Sequence, residues 1–418
     1  MTALWHPFAD MAEVAAAGEL VLRSGDGQYV VDEEGRRYLD VTAGLWFANV
    51  GHGRREIADA VGRQAATLAA HSVFGDLANR PALDLAERVA SLAPVADSKV
   101  FFTSGGSDSV DTAAKLVRRF WQVKGEVQRT AIITRDRAYH GMHWGGTALS
   151  GIGPNKDGYG EVVDDVAHVA WDDAGALADT IDALGSDRVA AFFCEPVIGA
   201  GGVYAAGEEY LRAAREVCRE RGVLWVSDEV ITGFGRLGDW FASGRYDLHP
   251  DVLLTAKGLT SGYVPMGAVV VAPSVAEPFW SHRGNAWRHG YTYSGHAVAA
   301  AAALANLDIL ERERLVERVL ELEPVLVDAL APLADLPAVS EVRAGAGLLA
   351  AIQIDPERLA DDPGLVQRVV LGMRARGVLT RGLVDGSLQV SPPFVIQEGD
   401  LKTLVAAVEE ALADAGTA

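Results

Sequence analysis

Two stretches decide the fold: the strand candidate Val189–Cys194 with Glu195 after it, which together read VAAFFCE, and Val223–Ser227 with Asp228-Glu229 after it, which together read VLWVSDE. Each is an apolar run of strand length that ends in a carboxylate, with almost no polar alternation inside it. A strand without alternation is covered on both faces, which is the habit of parallel sheets. Val100–Thr103, Ala131–Thr134, Val252–Thr255 and Ala268–Ala272 read the same way. Between these runs lie amphipathic helices. In the stretch 107–121, Val110, Ala113, Ala114, Val117 and Trp121 fall at i, i+3, i+4, i+7 and i+11, one face of a helix. Strands alternating with helices predict an α/β fold whose mainly parallel sheet is covered on both sides.

Outside that region the pattern changes. Residues 1–50 are irregular, with a hairpin signal at Tyr29–Val31 and Tyr38–Val41 around Glu34-Gly35. The stretches 297–310 and 311–331 read as long helices leading away from the sheet. From about 335 onward the order becomes strand, strand, helix, strand, strand, helix, a smaller α+β unit.

The chain has 418 residues and a formal net charge of −20. That balance speaks against a nucleic-acid backbone or an anionic membrane surface as partner. Lysine occurs only at 99, 115, 124, 156, 257 and 402. Cys194 and Cys218 form no CxxC pair, so a disulfide framework and a structural zinc are not expected. The first residues carry Asp10 and Glu13 and no basic region ahead of an apolar core, unlike a signal peptide. Gly, Pro and Ser interrupt the longest uncharged runs, so no membrane span is expected. A soluble, cytoplasmic protein fits.

Ligands of open α/β sheets bind beyond the carboxyl ends of the strands. Just past the predicted strands stand Ser104-Gly105-Gly106-Ser107, Tyr139-His140-Gly141, Glu195-Pro196, Asp228-Glu229 and Lys257-Gly258. Ser104–Ser107 leads into a helix, where open N–H groups and the dipole can hold an anion. The plainer reading is a tight turn with Ser107 as N-cap. Lys257 is the only lysine within the apolar stretch Val252–Ala272. Burial would lower its pKa, as an amine nucleophile requires; the alternative is a snorkelling surface lysine. Asp228 needs a cation or donors, either a protonated pyridine nitrogen or a nearby arginine such as Arg236. His140 and His143 are spaced HxxH without an accompanying carboxylate motif, so no metal site is expected. GxGxxG after a strand, GxxxxGK[ST] and GxSxG are all absent. A phosphate cradle, an aromatic ring at Tyr139, an aspartate and a buried lysine together describe the needs of pyridoxal 5′-phosphate.

The motifs Tyr38-Leu39-Asp40, Gly44-Leu45-Trp46, Asn49–Gly53, Phe101–Ser107 with Asp111-Thr112, and Tyr139-His140-Gly141 come in a telling order. They continue through Glu195-Pro196-Val197, Asp228–Val230 with Gly233–Arg236, Lys257, Pro265-Met266-Gly267, Thr292 with Ser294–His296, and Ser391–Phe394. Through them the chain resembles the class III pyridoxal-phosphate aminotransferases of fold type I, in their ω-amino-acid:pyruvate branch. Ala200 and Ile231 stand where the ornithine and γ-aminobutyrate branch has Glu and Gln, which points to the ω-transaminase side. The resemblance implies a large cofactor-binding domain over 53–310. It also implies a small α+β domain drawn from both chain ends, 1–52 and 311–418.

The resemblance also implies roles. Lys257 would be the Schiff-base lysine, and Asp228 the partner of the pyridine nitrogen. Tyr139 would stack on one ring face and Val230 pack on the other. Gly106 and Ser107 would hold the phosphate, joined by Thr292 of a second subunit, and His140 would stand with the cofactor-binding set. Trp46 and Phe74 would shape the substrate pocket. Arg381 matches a mobile arginine that binds a substrate carboxylate and turns out for apolar amines, helped by Gly382 and Gly386; otherwise it is a surface arginine in a β-turn. The implied activity moves an amino group from an ω-amine or β-/ω-amino acid to a keto acid such as pyruvate, in a homodimer or tetramer with shared sites. An aminomutase or decarboxylase on the same fold is a second reading. A non-catalytic, cofactor-binding regulator is a third.

Overall fold

The computed structural model describes residues 3–416; Met1, Thr2, Thr417 and Ala418, at the outer ends of the expected small-domain segments, lie outside the described residues. The first three strands, β1 (Leu22–Asp26), β2 (Tyr29–Asp32) and β3 (Arg37–Asp40), form an antiparallel meander. The large sheet follows with β4 (Lys99–Thr103), β5 (Ala131–Arg135), β6 (Val166–Val169), β7 (Val189–Cys194), β8 (Leu224–Asp228), β9 (Val252–Thr255) and β10 (Gly267–Val271). Its spatial order is β4-β10-β9-β8-β7-β5-β6. The pairs from β9 through β8, β7 and β5 to β6 are parallel, while β10 runs antiparallel to both β4 and β9. The expected mainly parallel α/β sheet is there, with one reversed strand. The four-residue edge strand β6 (Val-Ala-His-Val) was not anticipated; it is only half-buried and carries a polar residue at its centre.

Burial on both faces explains the missing alternation. Trp225 of β8 joins Phe192, Tyr210, Leu211 and Ala214 on one face. Leu224 and Val226 join Phe193 and the helix residues Val110, Ala113 and Val117 on the other. That helix spans Gly106–Val123, and the residues expected on its apolar face are buried. Ala297–Arg312 and Leu315–Leu330 are the two long helices, with Arg314 at φ 52° between them.

Four strands complete the chain: β11 (Val339–Arg343), β12 (Ala350–Ile354), β13 (Val378–Leu379) and β14 (Ser387–Val390). β11, β12 and β14 form an antiparallel sheet, while β13 pairs in parallel with β3. The C-terminal chain thus closes the sheet that the N-terminal segment opens. Arg236 fastens the same region. Its fully buried guanidinium donates to Pro392 O at 2.6 Å, Asn49 Oδ1 at 2.7 Å and Leu348 O at 3.3 Å. Arg236 is therefore not the partner of Asp228. Among the described residues no helix is long and apolar enough to cross a membrane.

Candidate active site

The parallel strands β5, β7, β8 and β9, together with β4, end at one edge of the large sheet, and their polar endings meet there. A cavity of about 340 Å³ is lined by Ser104–Ser107, Tyr139-His140-Gly141, Glu195, Asp228 and Lys257. All five strand endings singled out in the sequence share it. Reversed β10 delivers its amino end to the same edge, so Pro265 and Met266 also line the cavity. Reading only carboxyl ends does not find them. Phe47 and Thr260 were missed as well. A β-carbon on Gly44 or Gly262 would lie 2.2–2.3 Å from the Phe47 ring, so bare backbone on two sides is what admits it.

The Ser104–Ser107 end of the cavity is a helix start. The N-cap of the Gly106–Val123 helix is Gly105, and no side chain caps it. Ser107 is not the N-cap; it lies one residue inside, and its Oγ accepts from Met142 N at 3.2 Å. Asp108 turns back to accept from Ser104 N at 3.0 Å, fixing the loop. A β-carbon on Gly106 would come within 2.8 Å of Val230 Cγ1. Glycine at this point keeps the first turn of N–H groups and the Val230 side chain side by side. Such a cradle suits a phosphate bound beside an apolar-faced ring.

Asp228 lines the same cavity and is 4% exposed. Its Oδ2 lies 2.7 Å from His140 Nδ1, and its Oδ1 accepts from Val230 N at 3.1 Å. His140 Nε2 in turn meets Thr134 Oγ1 at 3.1 Å. The two histidines of the HxxH spacing therefore face different partners, His143 being exposed beside Asp108 at 3.4 Å. Supported by His140 and Val230 N, Asp228 presents its carboxylate to the cavity, and among the described residues no lysine or arginine forms an ion pair with it. A protonated ring nitrogen suits a carboxylate held in this way.

Lys257 stands two residues after the end of β9, at φ 39°. Burial pushes its amine down to about 8, although Asp228 and Glu195 pull the other way. Among the described residues no carboxylate forms an ion pair with it; Trp46 presents its ring 5.7 Å from Nζ. It is not a snorkelling lysine. Glu195, quoted as a strand ending but given no role, organises the neighbouring backbone: it accepts from Tyr139 N at 2.9 Å and Gly199 N at 3.1 Å. Burial raises its carboxyl above the ordinary range, against the influence of His140. Burial also raises the Tyr139 phenol.

Trp46 is buried at φ 63°, and Arg381 stacks on its ring at 4.5 Å. Arg381 is therefore not a surface arginine in a turn. Nor are its glycine flanks loose. Gly386 is packed against Leu359 and Gly382 against Val366, each so closely that a β-carbon would clash. Asp385 between them takes hydrogen bonds from Tyr204 OH at 2.8 Å and Arg343 Nη2 at 2.7 Å. Trp46 and Arg381 stand beside Lys257 and do not themselves line the cavity of about 340 Å³, and Phe74 and Thr292 do not line it in this chain. Phe74 and Thr292 both lie on the chain's surface, Phe74 being 56% exposed.

Comparisons with known proteins agree with this geometry. The family described as aminotransferase class-III matches residues 12–412. A putrescine–pyruvate aminotransferase of Pseudomonas aeruginosa is 36% identical, over 97% of this chain and 93% of that protein. An ω-amino acid–pyruvate aminotransferase of Pseudomonas putida is 35% identical, over 99% of this chain and 96% of its own length. Among solved structures, an (S)-enantioselective ω-transaminase from Thermomicrobium roseum superposes with a TM-score of 0.94 at 37% identity, over 98% of this chain and 96% of that one. An amine transaminase from an uncultivated Pseudomonas species, in its pyridoxal-phosphate-bound form, has the same TM-score at 35% identity, over 100% and 99%. Aminotransferases of this class use pyridoxal 5′-phosphate, the group that the cradle, the aspartate and the lysine fit. The chain belongs to the class-III aminotransferases.

Proposed function

We propose that this protein is a transaminase that takes an amino group from an ω-amine or β-/ω-amino acid and passes it to a keto acid, pyruvate first among them. The observation that carries the reading is the pairing across one cavity of a lysine lowered to about 8 with a buried, histidine-supported Asp228. The relatives that use pyruvate support the acceptor.

When bound, the cofactor supplies a carbonyl that takes up the amine and an electron-withdrawing ring that acidifies the adjacent C–H. This chain's residues do the rest. Gly106 and Ser107 would hold its phosphate with backbone N–H groups, Val230 and Tyr139 would pack against its ring, and Asp228 would keep the proton on its ring nitrogen. Lys257 Nζ, neutral in a large fraction of molecules near pH 8, would serve as the general base and acid toward the acidified C–H. Arg381, half-buried and with neither Nη group hydrogen-bonded among the described residues, reads the carboxylate of the keto acid. Thr292 and Phe74, exposed and off the cavity, serve the site of a second subunit in a homodimer or tetramer. Two buried, unpaired cysteines fit a reducing, cytoplasmic setting.

The test is a two-stage assay. Loaded protein mixed with an ω-amine should release the matching carbonyl product, and pyruvate added next should be converted to alanine. Retention of the carbonyl product on the protein, or loss of carbon dioxide in its place, would overturn the reading.

A further inference from the structure

With the Arg381–Ser387 turn fastened through Asp385, what remains free to rotate is the Arg381 side chain itself. Its resting position is set by a directional chain of hydrogen bonds. Arg381 Nε donates to Gln389 Oε1 at 2.7 Å. Gln389 Nε2 donates to Ser391 Oγ at 2.6 Å, and Ser391 Oγ to Thr42 O at 3.4 Å. Each link fixes the next. The Ser391 hydroxyl spends its proton on Thr42 and so accepts from the Gln389 amide, whose oxygen must then face the arginine. Gln389 is fully buried and its own backbone is bonded to both neighbours, with Thr380 Oγ1 donating to its O at 2.7 Å and its N donating to Arg381 O at 3.0 Å. The Trp46 ring beneath the guanidinium follows four residues after Thr42, where the chain of bonds ends.

We propose that Gln389 is a positioning residue for substrate selection: by occupying Nε, it holds the Arg381 guanidinium over Trp46 and leaves Nη1 and Nη2 as an open fork. A carboxylate is then gripped end-on by Nη1 and Nη2, in the bidentate geometry that favours planar anions. When an amine without a carboxylate enters, rotation of Arg381 leaves the buried Gln389 oxygen without a donor, which draws the arginine back for the keto-acid half. The proposal rests on Arg381 being the carboxylate reader.

The experiment measures binding of propanoate, a carboxylate that cannot react, to the cofactor-loaded protein by titration calorimetry. Four proteins are compared: wild type, Gln389→Met, Arg381→Ala and the double variant. Gln389→Met should weaken propanoate about tenfold, the scale of one hydrogen bond to a charged group. The double variant should bind no more weakly than Arg381→Ala alone, because Gln389 acts only through the arginine. In turnover the KM for pyruvate should rise in the same proportion while kcat does not follow. Ser391→Ala, which frees the Gln389 amide, should weaken propanoate in the same direction, and it carries the test should Gln389→Met not fold. Wild-type affinity in Gln389→Met, or a further loss in the double variant, would overturn the positioning role. Unchanged affinity in Arg381→Ala would instead bring down the carboxylate reading itself.

Discussion

Lys257 concentrates the physical tension of this molecule in one side chain. Its backbone lies at φ 39°, in the left-handed region that costs a non-glycine residue of order 1–3 kcal/mol. Its amine is desolvated from an ordinary 10.5 to about 8. Between those two pH values the unfolded chain binds more protons than the folded one, so stability rises with pH across that window. Below about 8 both states are protonated and the full cost is present, at most about 3 kcal/mol and less to the extent that solvent reaches the half-buried side chain. In cofactor-stripped protein, Lys257→Met should therefore raise Tm by a few degrees at pH 7, and the advantage should fade as pH climbs to 10.5. A gap independent of pH would mean that the amine is not desolvated. Asp228 has a different task. Because His140 and Val230 N fix its carboxylate from behind, Asp228→Asn should keep the geometry and still bind cofactor. Its turnover should fall by roughly a hundredfold or more, on the scale of a lost acid–base function. A near-wild-type rate would leave the carboxylate a purely structural role.

At the level of elements, what was legible in the sequence depended on burial. β7 is recovered end to end because both its faces are apolar, whereas β6, short and at an edge, carries too few buried residues to stand out. The run of β10 was found, but an apolar strand reads the same in either direction, and its reversal is what brings Pro265 and Met266 to the cavity. The strand endings were legible because carboxylates, glycines and a lysine are rare after apolar runs. Gln389 was not, since a lone amide inside a strand announces no chemistry until its partners are in place. The helix that begins at Gly106 offers a sharper test of placement. A methyl group there meets Val230 at 2.8 Å, and overpacking of this kind costs about 1–3 kcal/mol. Gly106→Ala should weaken cofactor binding about tenfold, measured by equilibrium dialysis. Val230→Ala in the same chain should recover part of that loss by making room. No recovery would show that the N–H cradle itself, and not the Val230 contact, is what the methyl group disturbs.

On the scale of the whole molecule, one chain assembles the cavity but leaves part of the expected site on its surface. Thr292 and Tyr293 are exposed, and so are Phe74 and Leu77. Phe74 packs beside Gly290, two residues before Thr292. One shared surface thus carries these two residues, neither of which lines the cavity. If it meets its counterpart across a twofold axis, each site takes Lys257 from one subunit and Thr292 from the other. Two separately impaired variants then make a decisive mixture. Lys257→Ala removes the amine, and Thr292→Glu sets a carboxylate against the phosphate. In a mixed dimer, one site carries both defects and the other carries neither. Random reassociation of equal amounts makes half of the dimers mixed, each with one intact site of two, so activity should return to roughly a quarter of the wild-type rate. Were Thr292 to act within its own subunit, every site in the mixture would carry one defect and no activity would return. Refolding the variants apart and mixing them only afterwards, without exchange, supplies the baseline against which that quarter is read.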